Sequence, residues 1–199
     1  MDHDHLPCVL GSGSVSLYQK GDIQPITCIA TGDVFITRRF PREGDQGLEE
    51  LQAVIGHGPH ELRGVELYPG GLILYSLGNL IFQTETVSRQ PYEAYDNKRL
   101  PIHTKVGAYM DQRSKNGTAG YPTQENIWRS VMASWDMEDG RVTEVRLYPV
   151  SLGTGEPRTR RGTPVLTRDE DTLRYLARLS QPFGTAIRVE DGVGYVDCM

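Results

Sequence analysis

Gly56-His57-Gly58-Pro59-His60, followed by Leu62-Arg63-Gly64-Val65-Glu66-Leu67-Tyr68, is the stretch on which the fold of this 199-residue chain turns. It opens as a tight proline–glycine turn carrying two imidazoles. Residues 65–68 then read as a strand, Pro69-Gly70-Gly71 as a turn, and Leu72-Ile73-Leu74-Tyr75-Ser76 as a second strand. Together they predict a β-hairpin with a three-residue, glycine-bearing connection. Glu66 and Tyr68 alternate with apolar neighbours and are expected on its wet face. Ser76-Leu77-Gly78-Asn79 breaks the second strand before Leu80-Ile81-Phe82 resumes the apolar run.

Working outward, Ile26-Thr27-Cys28-Ile29-Ala30 has the β-branched and small residues of a buried strand. It ends at Thr31-Gly32-Asp33, which presents a carboxylate at the strand's C-terminal end. Leu48, Leu51, Val54 and Ile55 lie at helical spacing and predict a short amphipathic helix over residues 47–55. Residues 84–125 are polar and irregular, as expected of an excursion over the surface. Beyond them, residues 128–136 and 142–150 form an antiparallel hairpin across Glu138-Asp139-Gly140, the second with a clean period of two. Leu173, Leu176, Ala177 and Leu179 share one face of a helix over 169–179. A last hairpin turns at Glu190-Asp191-Gly192. Residues 1–24, with Gly11-Ser12-Gly13-Ser14, read as a poorly ordered tail ahead of one domain over 25–199.

The bulk numbers narrow the function. A hydrophobic fraction of 38% and 22 glycines suit a globular α/β chain rich in turns. A formal net charge of −5 supplies no basic surplus for nucleic acid or an anionic membrane. Arg158, Arg160 and Arg161 sit beside glycine and proline and read as a solvated loop. Cys8, Cys28 and Cys198 form no CxxC pair and read as ordinary thiols of a reducing compartment. No apolar stretch approaches the ~20 residues of a membrane span, and Met1-Asp2-His3-Asp4-His5 is acidic where a signal peptide is basic. A cytoplasmic location is the expectation from the residues alone.

Neutral imidazoles and carboxylates are the common ligands of transition metals. Asp33, His57 and His60 therefore form a candidate site for a divalent ion such as Mn²⁺, Fe²⁺ or Zn²⁺. Plain turn residues are the alternative reading of all three, since Asp after glycine bonds its own backbone and loop histidines are ordinary. Asn79 either caps the strand break or bonds a substrate. The His3/His5 pattern belongs to the tail. There is no defensible Ser-His-Asp set, no Walker-type phosphate loop and no GxGxxG.

From Gly56 to Phe82 the sequence resembles the CapA family of capsule and poly-γ-glutamate synthesis proteins, which are related to calcineurin-like metallophosphoesterases. That family carries a G-H-x-P-H turn, a G-[IV]-E-x-Y strand and an F-Y-S-L-G-N-F-[IV]-F strand. Here Leu74 and Leu80 replace aromatics. Gly32-Asp33-Val34 resembles the family's opening G-D-V motif, and Leu147-Tyr148-Pro149-Val150 and Arg161-Gly162-Thr163-Pro164 agree as well. The resemblance implies a metallophosphoesterase-like sandwich of β-sheets flanked by helices. It also implies a metal-dependent hydrolase or transferase acting on an anionic phosphate or acyl substrate. Asp33, His57 and His60 would be metal ligands, with Asn79 supporting them or touching substrate. One departure matters: the long family segment with N-x-E and H-x-E motifs is missing near 55/56, where Ile55 runs directly into Gly56. Gly47 to Ile55 resembles the family's first helix, while Ala53-Val54-Ile55 equally resembles the strand before its histidine turn, so the domain is expected to be shortened in its middle. The alternative is a non-catalytic remnant, a binding or scaffold domain that has lost part of the metal site. An oligomer in which a partner supplies the missing strands is a further expectation.

Overall fold

The computed structural model of the chain describes residues 26–29, 53–56, 58–69, 71–138 and 141–198, the first group as backbone alone. In chain order the strands are β1 (Ile26–Ile29), β2 (Ala53–Ile55), β3 (Val65–Tyr68), β4 (Gly71–Leu74), β5 (Arg129–Glu138), β6 (Arg141–Ser151), β7 (Val165–Leu166), β8 (Ile187–Glu190) and β9 (Val193–Val196). The helices are α1 (Tyr92–Asp96), α2 (Val106–Arg113) and α3 (Glu170–Ser180). They build two sheets, one six-stranded in the order β1-β5-β6-β9-β8 with β7 also on β6, the other three-stranded in the order β2-β4-β3. The class is the mixed α/β expected.

The long β5–β6 hairpin is the spine of the larger sheet, paired from Arg129↔Ser151 to Glu138↔Arg141 with an irregularity between Asp136 and Met137. Its period-two pattern turns Val131, Ala133, Trp135, Val145 and Leu147 inward. Those side chains meet Val65, Leu72 and Leu74 of the smaller sheet and Leu173 and Leu176 of α3 in one shared core. Leu147, Leu173 and Leu176 are wholly buried. At roughly 1.5–3 kcal/mol for each buried aliphatic side chain, this cluster is the main source of stability. The last hairpin also forms as predicted, with positive φ at both Asp191 and Gly192, the pair of angles a tight two-residue turn needs.

Asp169 starts α3, its carboxylate accepting from the Asp171 amide at 3.1 Å and the Thr172 hydroxyl at 2.6 Å. At the other end of α3, Ser180 and the following Thr185 accept from the backbone amides of Val65 and Leu67 at 3.0 and 3.1 Å. These amides point away from β4, so side-chain hydroxyls close that edge of β3 in place of another strand.

Arg158 and Arg161, expected in a solvated loop, instead pair with Asp111 and Glu85, because the 157–162 loop packs on the excursion, and four further expectations need correction. The β3–β4 connection is two residues, Pro69-Gly70, because Tyr68 pairs with Gly71. A Cβ at Gly71 would lie 2.2 Å from the Tyr68 ring, which explains the glycine there. Residues 53–55 are strand β2, paired with β4, as their likeness to the family strand before the turn implies and against the helix that spacing predicts; residues 47–52 of that helix lie outside the described residues. The excursion over 84–125 is not irregular: it carries α1, α2 and two short 3-10 turns around a small core of Tyr95, Tyr109 and Met110. Glu66 is only 4% exposed, not on a wet face. The tail over residues 1–24 lies outside the described residues. Cys198 is half-buried, and burial, then the Asp197 and Glu144 carboxylates, push its thiol up, so it stays protonated at neutral pH. No described helix is long and apolar enough to cross a membrane.

Candidate functional site

β2 and β4 run parallel, with Ala53↔Leu72 and Ile55↔Leu74 in register. Their carboxyl ends therefore open at the same edge of the sheet, the edge where α/β sheets characteristically gather functional groups. His60 stands on the turn that leaves β2, and Asn79 on the segment that leaves β4. The Gly56 amide bonds the Leu74 carbonyl at 2.7 Å, which carries the pairing one residue past β2. Past β4, Gly78 has φ +78, and a Cβ there would come within 2.9 Å of the Arg129 carbonyl and Ser130 Cβ. This close approach seats the 76–79 segment against the start of β5, where the Val131 amide bonds the Leu77 carbonyl at 2.9 Å.

Asn79, 8% exposed, ties the edge together. Its Nδ2 donates to the His60 carbonyl at 3.0 Å and to the Ile127 carbonyl at 3.1 Å, while Oδ1 lies 2.8 Å from His60 Nδ1. Backbone carbonyls can only accept, so they fix which end of the amide is nitrogen. Oδ1 must then be the atom facing His60, and an acceptor there requires a proton on Nδ1. In the neutral ring the lone pair is left on Nε2. That is the arrangement by which a carbonyl-type partner orients a metal-binding histidine and fixes its tautomer. His60 itself adopts φ 60, a left-handed conformation that the two bonds from Asn79 help to hold.

The sequence thus predicts His60 and Asn79 as site residues, and the structure brings them into direct contact. Asp33 and His57, the other predicted ligands, lie outside the described residues. Among the described residues no group of three histidine, cysteine, aspartate or glutamate side chains is placed to hold a metal. Glu66 is a feature the sequence reading missed. Tyr75 donates to its Oε2 at 2.8 Å, and Tyr75 stacks on Phe183 with centroids 4.8 Å apart. The signal was present in Leu72-Ile73-Leu74-Tyr75. A strand apolar on both faces belongs to a sheet covered on both faces, and Glu66 pairs with Ile73 and shares its side.

The excursion returns to this edge. The Ile127 carbonyl on Asn79 belongs to the 3-10 turn Glu125–Trp128 that precedes β5. Phe82, just after Asn79, meets the rings of Tyr121 and Trp128 edge-on, each with centroids 5.2 Å apart. Glu85, 7% exposed, is held by Arg161, whose Nη2 donates to its Oε1 at 2.6 Å, and Arg161 lies over the Trp128 ring.

Comparison with known proteins bears on the same segment. The chain is 35% identical to two proteins of Sinorhizobium fredii (strain NBRC 101917 / NGR234), the uncharacterized proteins y4sH and y4uA, over 72% of this chain. It spans 33% of the length of each of these relatives. Residues 44–84 match the profile of the bacterial capsule synthesis protein PGA_cap. The matched stretch holds β2, β3, β4, His60 and Asn79, and it supports the CapA-like, capsule-synthesis resemblance read from those residues.

Proposed function

We propose that this chain acts in capsule or poly-γ-glutamate synthesis as a metal-dependent hydrolase or transferase on an anionic phosphate or acyl substrate. The observation that carries the reading is the His60–Asn79 pair at the carboxyl ends of β2 and β4, within the segment matched to capsule synthesis proteins. The donor chemistry fits a divalent metal, since the Asn79 contact leaves His60 Nε2 as a neutral nitrogen ligand. Asp33 and His57 would complete the set contributed by this chain. A divalent Mn, Fe or Zn ion there supplies Lewis acidity, polarising a phosphoryl or carbonyl oxygen and lowering the pKa of a water. The protein's part is to hold the imidazole in one tautomer and one orientation. In the same reading the two sheets are a metallophosphoesterase-like sandwich shortened near residues 55/56, and a partner chain supplies what the shortened middle lacks.

Metal analysis of the purified chain tests this. Titration with Mn²⁺ and Zn²⁺, beside a His57→Ala/His60→Ala variant, should show one tightly held ion that the variant loses. Phosphoesterase assays on the loaded protein would follow. No binding, or equal binding by the variant, leaves the other reading, a non-catalytic binding or scaffold domain derived from a metalloenzyme.

A further inference from the structure

The excursion borders a half-open cleft of about 130 Å³ that none of His60, Asn79 and Ile127 lines. Its walls are predominantly apolar, formed by Met110, Ala119, Tyr121 and Pro122, with Arg113 and Glu85 as the charged groups beside them. Met110 is 2% exposed, so the floor is part of the excursion's own small core. A cavity of roughly 150 Å³ holds one benzene ring, which sets the size of an occupant here to a single ring or a short branched chain.

Charge sets the rest. Glu85 is committed to Arg161 and lies 3.8 Å from Arg158, and Asp111 is bound by Arg158 at 2.7 Å. Arg113 differs from these arginines. Its guanidinium lies 5.4 Å from the centroid of the Tyr121 ring, and among the described residues it has no carboxylate partner. A guanidinium held over an aromatic face keeps its N–H edges available. A solvent-exposed arginine without a carboxylate partner beside a ring-sized apolar cleft has the chemistry to take a monocarboxylate. A single guanidinium without a partner matches a single carboxylate.

We propose that the cleft between α2 and the turn at Tyr121 binds a small monocarboxylate with a ring-sized apolar body, the carboxylate on Arg113 and the body against Met110 and Pro122. The site is independent of the metal reading. The test is an NMR titration of the whole chain with benzoate and, in parallel, with benzyl alcohol, which has the ring without the charge. Benzoate should give saturable shifts confined to residues 84–85 and 110–124. Arg113→Gln should weaken it by about tenfold or more, the factor a charge-assisted hydrogen bond carries. Benzyl alcohol should bind more weakly and be indifferent to that substitution. The proposal is overturned by an absence of saturable benzoate shifts, by shifts outside the cleft, or by equal affinity for the two ligands on the unaltered chain. That last comparison needs no variant, so it decides the matter even where Arg113→Gln fails to fold.

Discussion

Asn79 places each of its amide groups on a different target, two carbonyls and one imidazole, and no other residue reproduces that set. Asn79→Ala leaves the His60 and Ile127 carbonyls without their donor and frees the ring of His60. A buried polar group stripped of its partner costs about 1–3 kcal/mol, so urea unfolding should show a loss in that range. The sharper readout is the tautomer. Long-range ¹H–¹⁵N NMR should find His60 protonated on Nδ1 in the native chain and on a mixture of nitrogens in the variant. An unchanged tautomer would mean that Asn79 does not set the imidazole. At this scale the sequence was half legible. The histidine turn announced itself through Pro59 and Gly58, and Asn79 through a broken strand. Their contact spans nineteen positions in sequence and depends on the parallel register of β2 with β4, which no local pattern encodes.

Among the elements, β3 is the one whose neighbours are least expected. Its outward amides at Val65 and Leu67 end on Ser180 and Thr185, and Ser180 also donates to the Leu176 carbonyl at 2.8 Å. The helix was readable from Leu173 and Leu176 at helical spacing, which says nothing of what Ser180 bonds. Only its complete burial shows that it is a hydrogen-bonding member of the sheet edge. Ser180→Ala should therefore destabilise the chain by about 1–3 kcal/mol, the cost of an unsatisfied buried amide. Hydrogen exchange should quicken at the Val65 amide in particular. Ser180→Thr, which keeps the hydroxyl, is the control. A loss no larger than that of an exposed serine, such as Ser88, would show that water replaces the bond and that the edge is open. Elsewhere the local rules held where chain chemistry was decisive, as at the Asp191-Gly192 turn. They failed where pairing overrode spacing: Val54 and Ile55 continue the helical spacing of Leu48 and Leu51 but lie in β2 beside β4.

Across the whole molecule, the body and the excursion each have a hydrophobic cluster of their own. The body's core comes from both sheets and α3, while the excursion has its own cluster of Tyr95, Tyr109 and Met110. What joins them is a third apolar cluster, Trp128, Val150 and Leu152 with Phe82 and Ile127 against it, and a latch on the 157–162 loop: Arg161 to Glu85, Arg158 to Asp111, and the Phe82 amide to the Gly162 carbonyl at 2.9 Å. Gly162 has φ +87, and a Cβ there would fall 2.0 Å from the Phe82 carbonyl, so the loop and the excursion's root fit only with glycine. The sequence read these arginines as a solvated loop because an ion pair across seventy-six positions leaves no local trace. Breaking a mostly buried pair costs up to about 3–5 kcal/mol, less here because Glu85 keeps Arg158 at 3.8 Å. Where that cost falls tests whether the excursion opens separately from the body. In Arg161→Met, hydrogen exchange should accelerate over residues 92–119 and stay near native over β5 and β6, because the excursion opens without the body. The double variant Glu85→Leu/Arg161→Met, which removes both charges, should restore much of the protection. Equal acceleration in the excursion and in the β5–β6 hairpin would instead make the molecule a single cooperative unit. The contact from Ile127 to Asn79 would then tie the His60 edge to the stability of the entire chain.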